Sequence, residues 1–125
     1  MSTYSPSPSP QAYRANAVLT ASQGQLVVML YDGARRFLTQ GAAAMSEGQI
    51  PLAHTKLSGA ENIIRHLRVT LDMEQGQMSA RLEALYAFWE EHLRRARIEQ
   101  NPAKLTEVNE MMGRLRESWA TIAAQ

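Results

Sequence analysis

The sequence predicts an all-α protein: an antiparallel four-helix bundle with a short N-terminal cap or strap. Apolar residues recur every three or four positions in four long segments, which is the period of an amphipathic helix. Short connections carrying helix start and stop signals separate these segments. The strict alternation typical of a half-buried strand is absent. Because short connections place consecutive helices antiparallel, the four segments predict a bundle.

Composition limits the possible functions of the chain. Its 125 residues are enough for one domain with a single core, and it has no cysteine for disulfides, metal ligation or thiol chemistry. A net charge of +1 gives no general reason to expect binding to nucleic acid. No apolar run is long enough to cross a bilayer, and the N-terminus does not resemble a signal peptide. We expect a soluble, cytoplasmic protein without membrane insertion.

The N-terminal segment differs from the rest of the chain. Residues 1–12 contain alternating Ser and Pro, a composition that favours an extended, flexible tail over packed structure. Residues 13–125 form the predicted bundle domain. Its first part, from Tyr13 to Leu19, is predicted to form a short helix or a strap lying against the bundle.

The first helix is predicted from Ser22 to Glu47. Ser22 and Gln25 have the spacing of a capping box, and Gly48 is a natural left-handed residue after the helix end. Spacing assigns five residues to the core stripe and three to the remaining surface. The predicted core residues are Leu26, Leu30, Ala34, Phe37 and Gly41, and the surplus apolar residues are Val28, Met29 and Tyr31. A helix end that is apolar nearly all round should be covered on more than one face, by this chain or by a partner.

The other three helices follow from similar signals. Pro51 is suited to the first turn of the second helix, and Asn101 followed by Pro102 predicts the start of the fourth. The third helix is predicted from Gln77 to Ile98. The core stripes of these helices contain Ala53, Leu57, Ala60, Ile64, Leu67, Leu71, Met78, Leu82, Leu85, Trp89, Leu93, Ala96, Leu105, Val108, Met112, Leu115, Trp119 and Ile122.

Residue patterns for catalysis are missing. A di-metal bundle site needs Glu-x-x-His motifs on two helices, and the sequence contains none. The serines lack a nucleophile-elbow motif or an evident base. His92 falls on the apolar stripe of the third helix, where a hydrogen-bonded core or boundary histidine is the expected role. The sequence therefore predicts a non-enzymatic protein with no cofactor and no bound metal.

One alternative is a histidine phosphotransfer module that uses His54. The segment from Ala53 to Gly59 superficially resembles the signature of such domains, and His54 is predicted to face solvent. The spacing is wrong, however, because Lys56 follows His54 by two residues and so lies on a different face of the helix. Another alternative is a structural bundle that self-associates through its surplus apolar faces.

Several residues resemble a known family when they are taken in order. The most specific set surrounds the start of the first helix: Thr20 to Ser22, Leu26, Met29 to Ala34, and Phe37. Further matches lie in the other helices: Ile63, Ile64, Leu71, Asp72, Gly76, Leu85, Tyr86, Leu93, Ala96 and Trp119. In this order and spacing they resemble the flagellar secretion chaperone (FliS) family, over almost the whole predicted bundle.

The resemblance implies a cytoplasmic export chaperone that is monomeric alone and binds one flagellin. Its partner would be the disordered C-terminal segment of flagellin, which wraps the bundle and folds partly into helices. Binding would prevent premature polymerisation and deliver flagellin to the type III export gate. The tyrosine matched by Tyr13 would belong to a strap that covers part of this surface when flagellin is absent. The predicted contributors to the binding surface are Tyr13, Val28, Tyr31, Ile63, Leu71, Tyr86 and Trp89.

The sequence also departs from the family pattern. Gln23 stands where the family usually has proline, and Trp89 where a tyrosine is usual. A single glycine, Gly76, appears where two are common. The Ser-Pro repeat ahead of Tyr13 is unusual for the family.

Overall fold

The computed structural model describes residue 9 and residues 21–125 of the chain. This part contains four α-helices: α1 (Gln23–Ser46), α2 (Ile50–Val69), α3 (Gln77–Glu99) and α4 (Pro102–Ala123), with a 3-10 turn at Met73–Gln75. Each helix packs on the next, and α4 packs back on α1. The predicted all-α four-helix bundle is confirmed. Apart from Ser9, the predicted tail and strap, including Tyr13, lie outside the described residues.

Both ends of α1 are fixed by the residues that the sequence singles out. The Gln25 backbone N–H donates to Ser22 Oγ (3.2 Å), and the Ser22 N–H donates to Gln25 Oε1 (2.8 Å), which completes a capping box. At the other end, Gly48 adopts a φ of +76°. The N–H of Gln49 then donates to the carbonyl of Ala44 (2.8 Å), as in a Schellman motif.

The remaining helix ends also agree with the predicted signals. Pro51 lies in the first turn of α2. The side chain of Asn101 caps α4 by accepting from the Ala103 N–H (3.1 Å). Gly76, with a φ of +76°, turns the chain from the 3-10 turn into α3, a backbone conformation that other residues rarely adopt.

A single core runs along the bundle axis. Its fully buried large side chains come from all four helices: Tyr31, Leu38, Leu57, Ile64, Tyr86, Trp89, Leu93, Leu105, Val108 and Met112. Some predicted core residues are instead on the surface, because the stripes of α3 and α4 run past the ends of the packed region. Met78 and Ile122 are 64% and 55% exposed.

The predicted orientation of α1 is wrong by part of a turn. Its buried face is centred on Ala34 and Leu38, between α2 and α4, and not on Leu30. Tyr31 therefore points into the core, although spacing counted it as surplus. Leu26 and Leu30, which the same count placed in the core, are only half-buried.

Ion pairs connect neighbouring helices outside the core. Arg116 on α4 binds the carboxylate of Asp32 on α1, and Arg68 on α2 binds Glu83 and Glu90 on α3. These pairs are only partly buried, and ion pairs that remain in contact with solvent contribute about 0–1 kcal/mol each. The apolar core therefore contributes most of the stability of the bundle. Across residue 9 and residues 21–125, no helix has the length and apolar character needed to cross a membrane.

Candidate partner-binding site

The N-terminal half of α1 is the most incompletely covered apolar part of this helix. The five successive residues from Leu26 to Leu30 are all half-buried. In a helix, five successive residues point in directions that span more than a full turn. The neighbouring helices therefore leave apolar surface open on more than one side of α1, as the sequence predicts.

A groove lies between α1 and the C-terminal part of α2; we call it the α1/α2 groove. Its volume is about 590 Å³. Its lining is mainly apolar, with polar and charged side chains among the apolar ones. The lining residues are Gln23, Leu26, Val27, Met29, Leu30, Asp32, Arg36, His66, Leu67 and Thr70. A cleft of this size and composition suits apolar side chains of a ligand or of another polypeptide.

A second, smaller groove lies on the other flank of α1, against the C-terminal end of α4; we call it the α1/α4 groove. Its volume is about 310 Å³, and it is lined by Gln25, Val28, Met29, Ala120, Ala123 and Ala124. The alanines of α4 are too short to fill the space beside Val28 and Met29. Met29 lines both grooves, so the two form one apolar surface wrapped around the start of α1.

An aromatic cluster supports this surface from inside the bundle. The rings of Tyr31 and Trp89 meet edge to face, with centroids 6.2 Å apart, and Trp119 contacts the same tyrosine. The hydroxyls of Tyr31 and Tyr86 form a buried hydrogen bond of 2.7 Å between α1 and α3. Burial, reinforced by the neighbouring Tyr86, raises the pKa of Tyr31 well above its ordinary value of 10.0. The cluster is uncharged at neutral pH and fixes α1 against α3.

The sequence-predicted site residues divide into two groups. Val28, Ile63 and Leu71 are half-buried. Val28 lines the α1/α4 groove, and Ile63 packs beside Gly33 at the seam between α1 and α2, where a Cβ on that glycine would lie 3.4 Å from Ile63 Cδ1. These residues are accessible in part to a partner.

The other group is interior. Tyr31, Tyr86 and Trp89 are at most 1% exposed. Burial agrees with the place of Trp89 in the predicted core stripe, but the expectation that Tyr31 is surplus to the core is wrong. For Tyr31 the reason is geometric, because the buried face of α1 is rotated about the helix axis from the face that was predicted around Leu30. On α3, both aromatic residues point at the α1 core face. In this structure they pack against one another between α1 and α3.

Spacing alone missed most of the groove lining. Periodicity predicts Leu26, Leu30 and Leu67 as core residues and gives no reason to select Arg36 or His66 as site residues. Periodicity identifies which face of a helix is apolar, but it does not show where along that face the neighbouring helix stops covering it. The uninterrupted run from Leu26 to Tyr31 was the available signal.

The two histidines singled out from the sequence are engaged in contacts between helices. His54 is half-buried rather than facing solvent, and its Nε2 lies 2.9 Å from Gln100 Nε2 at the end of α3. His92 bonds to Glu107 on α4 and stacks on Phe88, which agrees with a boundary histidine. Within the described part of the chain, no cluster of three or more His, Asp or Glu residues is arranged to hold a metal ion.

Comparison with known proteins identifies the family. The model for the flagellar protein FliS matches residues 6–125. The chain belongs to the FliS family. It is 35% identical over 117 residues to the flagellar secretion chaperone FliS of Vibrio cholerae, covering 90% of this chain and 86% of that one. The corresponding protein of Bacillus subtilis is 32% identical over 108 residues, covering 86% and 80%.

The match to the FliS of Escherichia coli is 34% identity over 106 residues, covering 83% of this chain and 78% of that one. These relatives are chaperones of flagellar secretion by name, and the family is not one of enzymes. Membership therefore confirms the resemblance found in the sequence and gives this chain a chaperone role in flagellar export. The grooves on either side of α1 are the candidate site for that role.

Proposed function

We propose that this chain is a cytosolic, non-enzymatic chaperone that binds the disordered C-terminal segment of flagellin. Binding prevents premature polymerisation, and the complex is delivered to the flagellar type III export gate. The chaperone is a monomer alone and binds flagellin one to one. The observation that carries this proposal is the open apolar surface around the N-terminal half of α1, with its two grooves.

The shape of this surface suits an unfolded segment better than a folded domain. The α1/α2 groove follows α1 from Gln23 to Arg36, a rise of about 20 Å along the helix axis. An elongated apolar groove accepts an amphipathic helix, whose apolar residues enter at intervals of three or four. A disordered partner loses conformational entropy when it becomes ordered, so its affinity must come from many apolar contacts spread along the chain.

The half-buried residues are the proposed partner contacts. Val28 lines the α1/α4 groove, while Ile63 and Leu71 extend the apolar surface along α2 and beyond its end. Tyr31, Tyr86 and Trp89 act indirectly, because they hold α1 in the position that opens the grooves. This arrangement would cover apolar stripes that flagellin otherwise uses for self-assembly.

The binding proposal is tested with a synthetic peptide of the flagellin C-terminal segment from the same organism. Calorimetric titration of the chaperone should give saturable one-to-one binding, and circular dichroism should show a gain in helicity over the separate components. A peptide of scrambled sequence and equal composition is the matched control. Absence of binding at peptide concentrations on the order of tens of micromolar would refute the proposal.

The N-terminal strap belongs to the same proposal. Tyr13 is taken to occupy part of the apolar surface when flagellin is absent, and it stands ten residues before Gln23, the first residue of α1. Deletion of residues 1–19 should leave the bundle folded, since α1 begins at its own capping box. Affinity should rise if the strap competes with flagellin and fall if the strap adds contacts. Unchanged affinity would remove Tyr13 from the mechanism.

A further inference from the structure

The rim of the α1/α2 groove carries basic side chains above an apolar floor. Arg36 on α1 and His66 on α2 are both exposed and both line the groove. Among the described residues, Arg36 makes no hydrogen bond or ion pair. The groove therefore has an unpaired guanidinium directly beside its apolar surface.

The acidic residue that lines the same groove does not neutralise this charge. Both carboxylate oxygens of Asp32 are bound by Arg116 of α4: Oδ1 accepts from Nε (2.9 Å) and Oδ2 accepts from Nη2 (3.2 Å). Because this bidentate pair already satisfies Asp32, the charge of Arg36 is available to a ligand in the groove.

We propose that Arg36 binds a side-chain carboxylate on the solvent-facing flank of an amphipathic helix that lies in the α1/α2 groove. This inference rests on the proposed function and adds the chemistry of the bound segment: apolar on one face and acidic at one defined position. Arg36 is thus a determinant of specificity as well as of affinity, since guanidinium and carboxylate groups match in a planar, two-bond geometry.

Helix geometry fixes where the carboxylate must lie. Met29 and Arg36 are seven residues apart and so point in nearly the same direction from α1, about 10 Å apart along its axis. A bound helix running along α1 that places an apolar anchor against Met29 therefore needs its acidic residue about two turns away from that anchor. The intervening apolar residues would pack toward Leu30, and those on the other side of the anchor toward Leu26.

Two features of the structure favour a side-chain carboxylate in this groove over other arrangements. Recognition of a C-terminal carboxylate would require the bound helix to end beside Arg36. Beyond Arg36, however, α1 continues with exposed polar residues, Thr39 and Gln40, so a bound helix can extend past this point. Among the described residues, those that line the α1/α4 groove include no charged side chain. A segment bound there would gain nothing from an acidic side chain.

The test compares arginine variants against the synthetic flagellin peptide by calorimetry. Arg36→Gln should weaken binding about threefold, the loss expected for one partly exposed ion pair. Arg36→Lys keeps the charge but loses the planar two-bond geometry, so its affinity should lie between those of the wild type and Arg36→Gln. Arg81→Gln is the matched control, because Arg81 is an exposed arginine on α3, the helix diagonal to α1 in the bundle, and should have no effect. Raising the salt concentration should reduce the difference between the wild type and Arg36→Gln.

Modified peptides identify the partner group. Replacing the peptide's Asp and Glu by Asn and Gln should weaken binding to the wild type but not to Arg36→Gln. Loss of affinity on C-terminal amidation alone would overturn the assignment to a side chain. Equal affinity of the wild type and Arg36→Gln for the unmodified peptide would overturn the role of Arg36 and leave the chaperone function intact. A wild type that binds no peptide at all would refute both proposals.

Discussion

The two halves of α1 are covered differently, although they belong to one continuous helix. In the C-terminal half, Leu38 and Gly41 are buried, and a Cβ on Gly41 would lie only 3.2 Å from Leu105 Cδ2. A small residue there is matched by a large one on α4. In the N-terminal half the packing is incomplete, because a groove stays open between Val28 and Met29 on α1 and Ala120 and Ala123 on α4.

This difference separates stability from binding along one helix. Complementary sizes give the dense packing typical of protein interiors, and density of this kind is what stabilises a fold. Apolar residues without complementary neighbours retain accessible surface, and the free energy of covering that surface is available to a partner. We therefore expect substitutions in the C-terminal half to lower stability and substitutions in the N-terminal half to lower affinity.

The largest expected effect is that of Leu38→Ala in the C-terminal half. Leu38 is fully buried, so its truncation should lower the free energy of unfolding by about 2–5 kcal/mol through lost burial and the cavity left behind. Urea unfolding followed by circular dichroism measures this change. A loss below about 1 kcal/mol would contradict the dense packing assigned to this half.

A leucine-to-alanine substitution in the N-terminal half should lower peptide affinity more than stability. Leu26 is half-buried in the α1/α2 groove, so Leu26→Ala should reduce stability by only about 1 kcal/mol. Its affinity for the flagellin peptide should fall about tenfold, the result of losing one anchor side chain. Peptide titration and urea unfolding of the same protein give both values. Unchanged affinity with a stability loss equal to that of Leu38→Ala would remove the distinction between the two halves.

The contrast between these two leucines also shows how far the sequence alone could predict the structure. Helix number, helix ends and most of the core follow from local rules: Ser22, Gly48 and Asn101 act within one turn of the chain. The grooves do not follow, because they depend on which residues of α2 and α4 end up opposite α1. Tyr31 illustrates the same limit, since rotating the buried face of α1 by part of a turn about the helix axis moves this residue from the surface to the core.

Tyr31 lies where the two halves meet, and Tyr31→Phe tests its interior role. The substitution keeps the ring but leaves the Tyr86 hydroxyl without its partner, so stability should fall by about 1–2 kcal/mol. The double variant with Tyr86→Phe should lose less than the sum of the two single variants. Peptide affinity should be unchanged. If Tyr31→Phe bound the peptide more weakly but kept wild-type stability, Tyr31 would be a direct contact of the partner.

High pH should lower the stability of the fold through the buried tyrosines. Burial raises the pKa of Tyr31 above 10.0, whereas in the unfolded chain it ionises near that value. The unfolded state thus releases a proton that the folded state retains, and the free energy of unfolding falls as pH rises above about 10. Urea midpoints across this range should fall less steeply for Tyr31→Phe than for the wild type. Equal slopes would show that another group governs the alkaline loss.

The smallest expected effect is at the first residue of α1, where Gln23→Pro should stabilise the N-terminal half without filling its grooves. Ser22 has a φ of −70° and a ψ of 167°, the extended conformation that a residue before proline prefers. The first helical position needs no N–H donor, so proline should raise the free energy of unfolding by about 0.4–1 kcal/mol. Gln23→Ala controls for loss of the side chain. If the stability of the start of α1 does not limit binding, the two variants should have equal affinity for the peptide. Tighter binding to Gln23→Pro would show that fraying of α1 limits the affinity of the site.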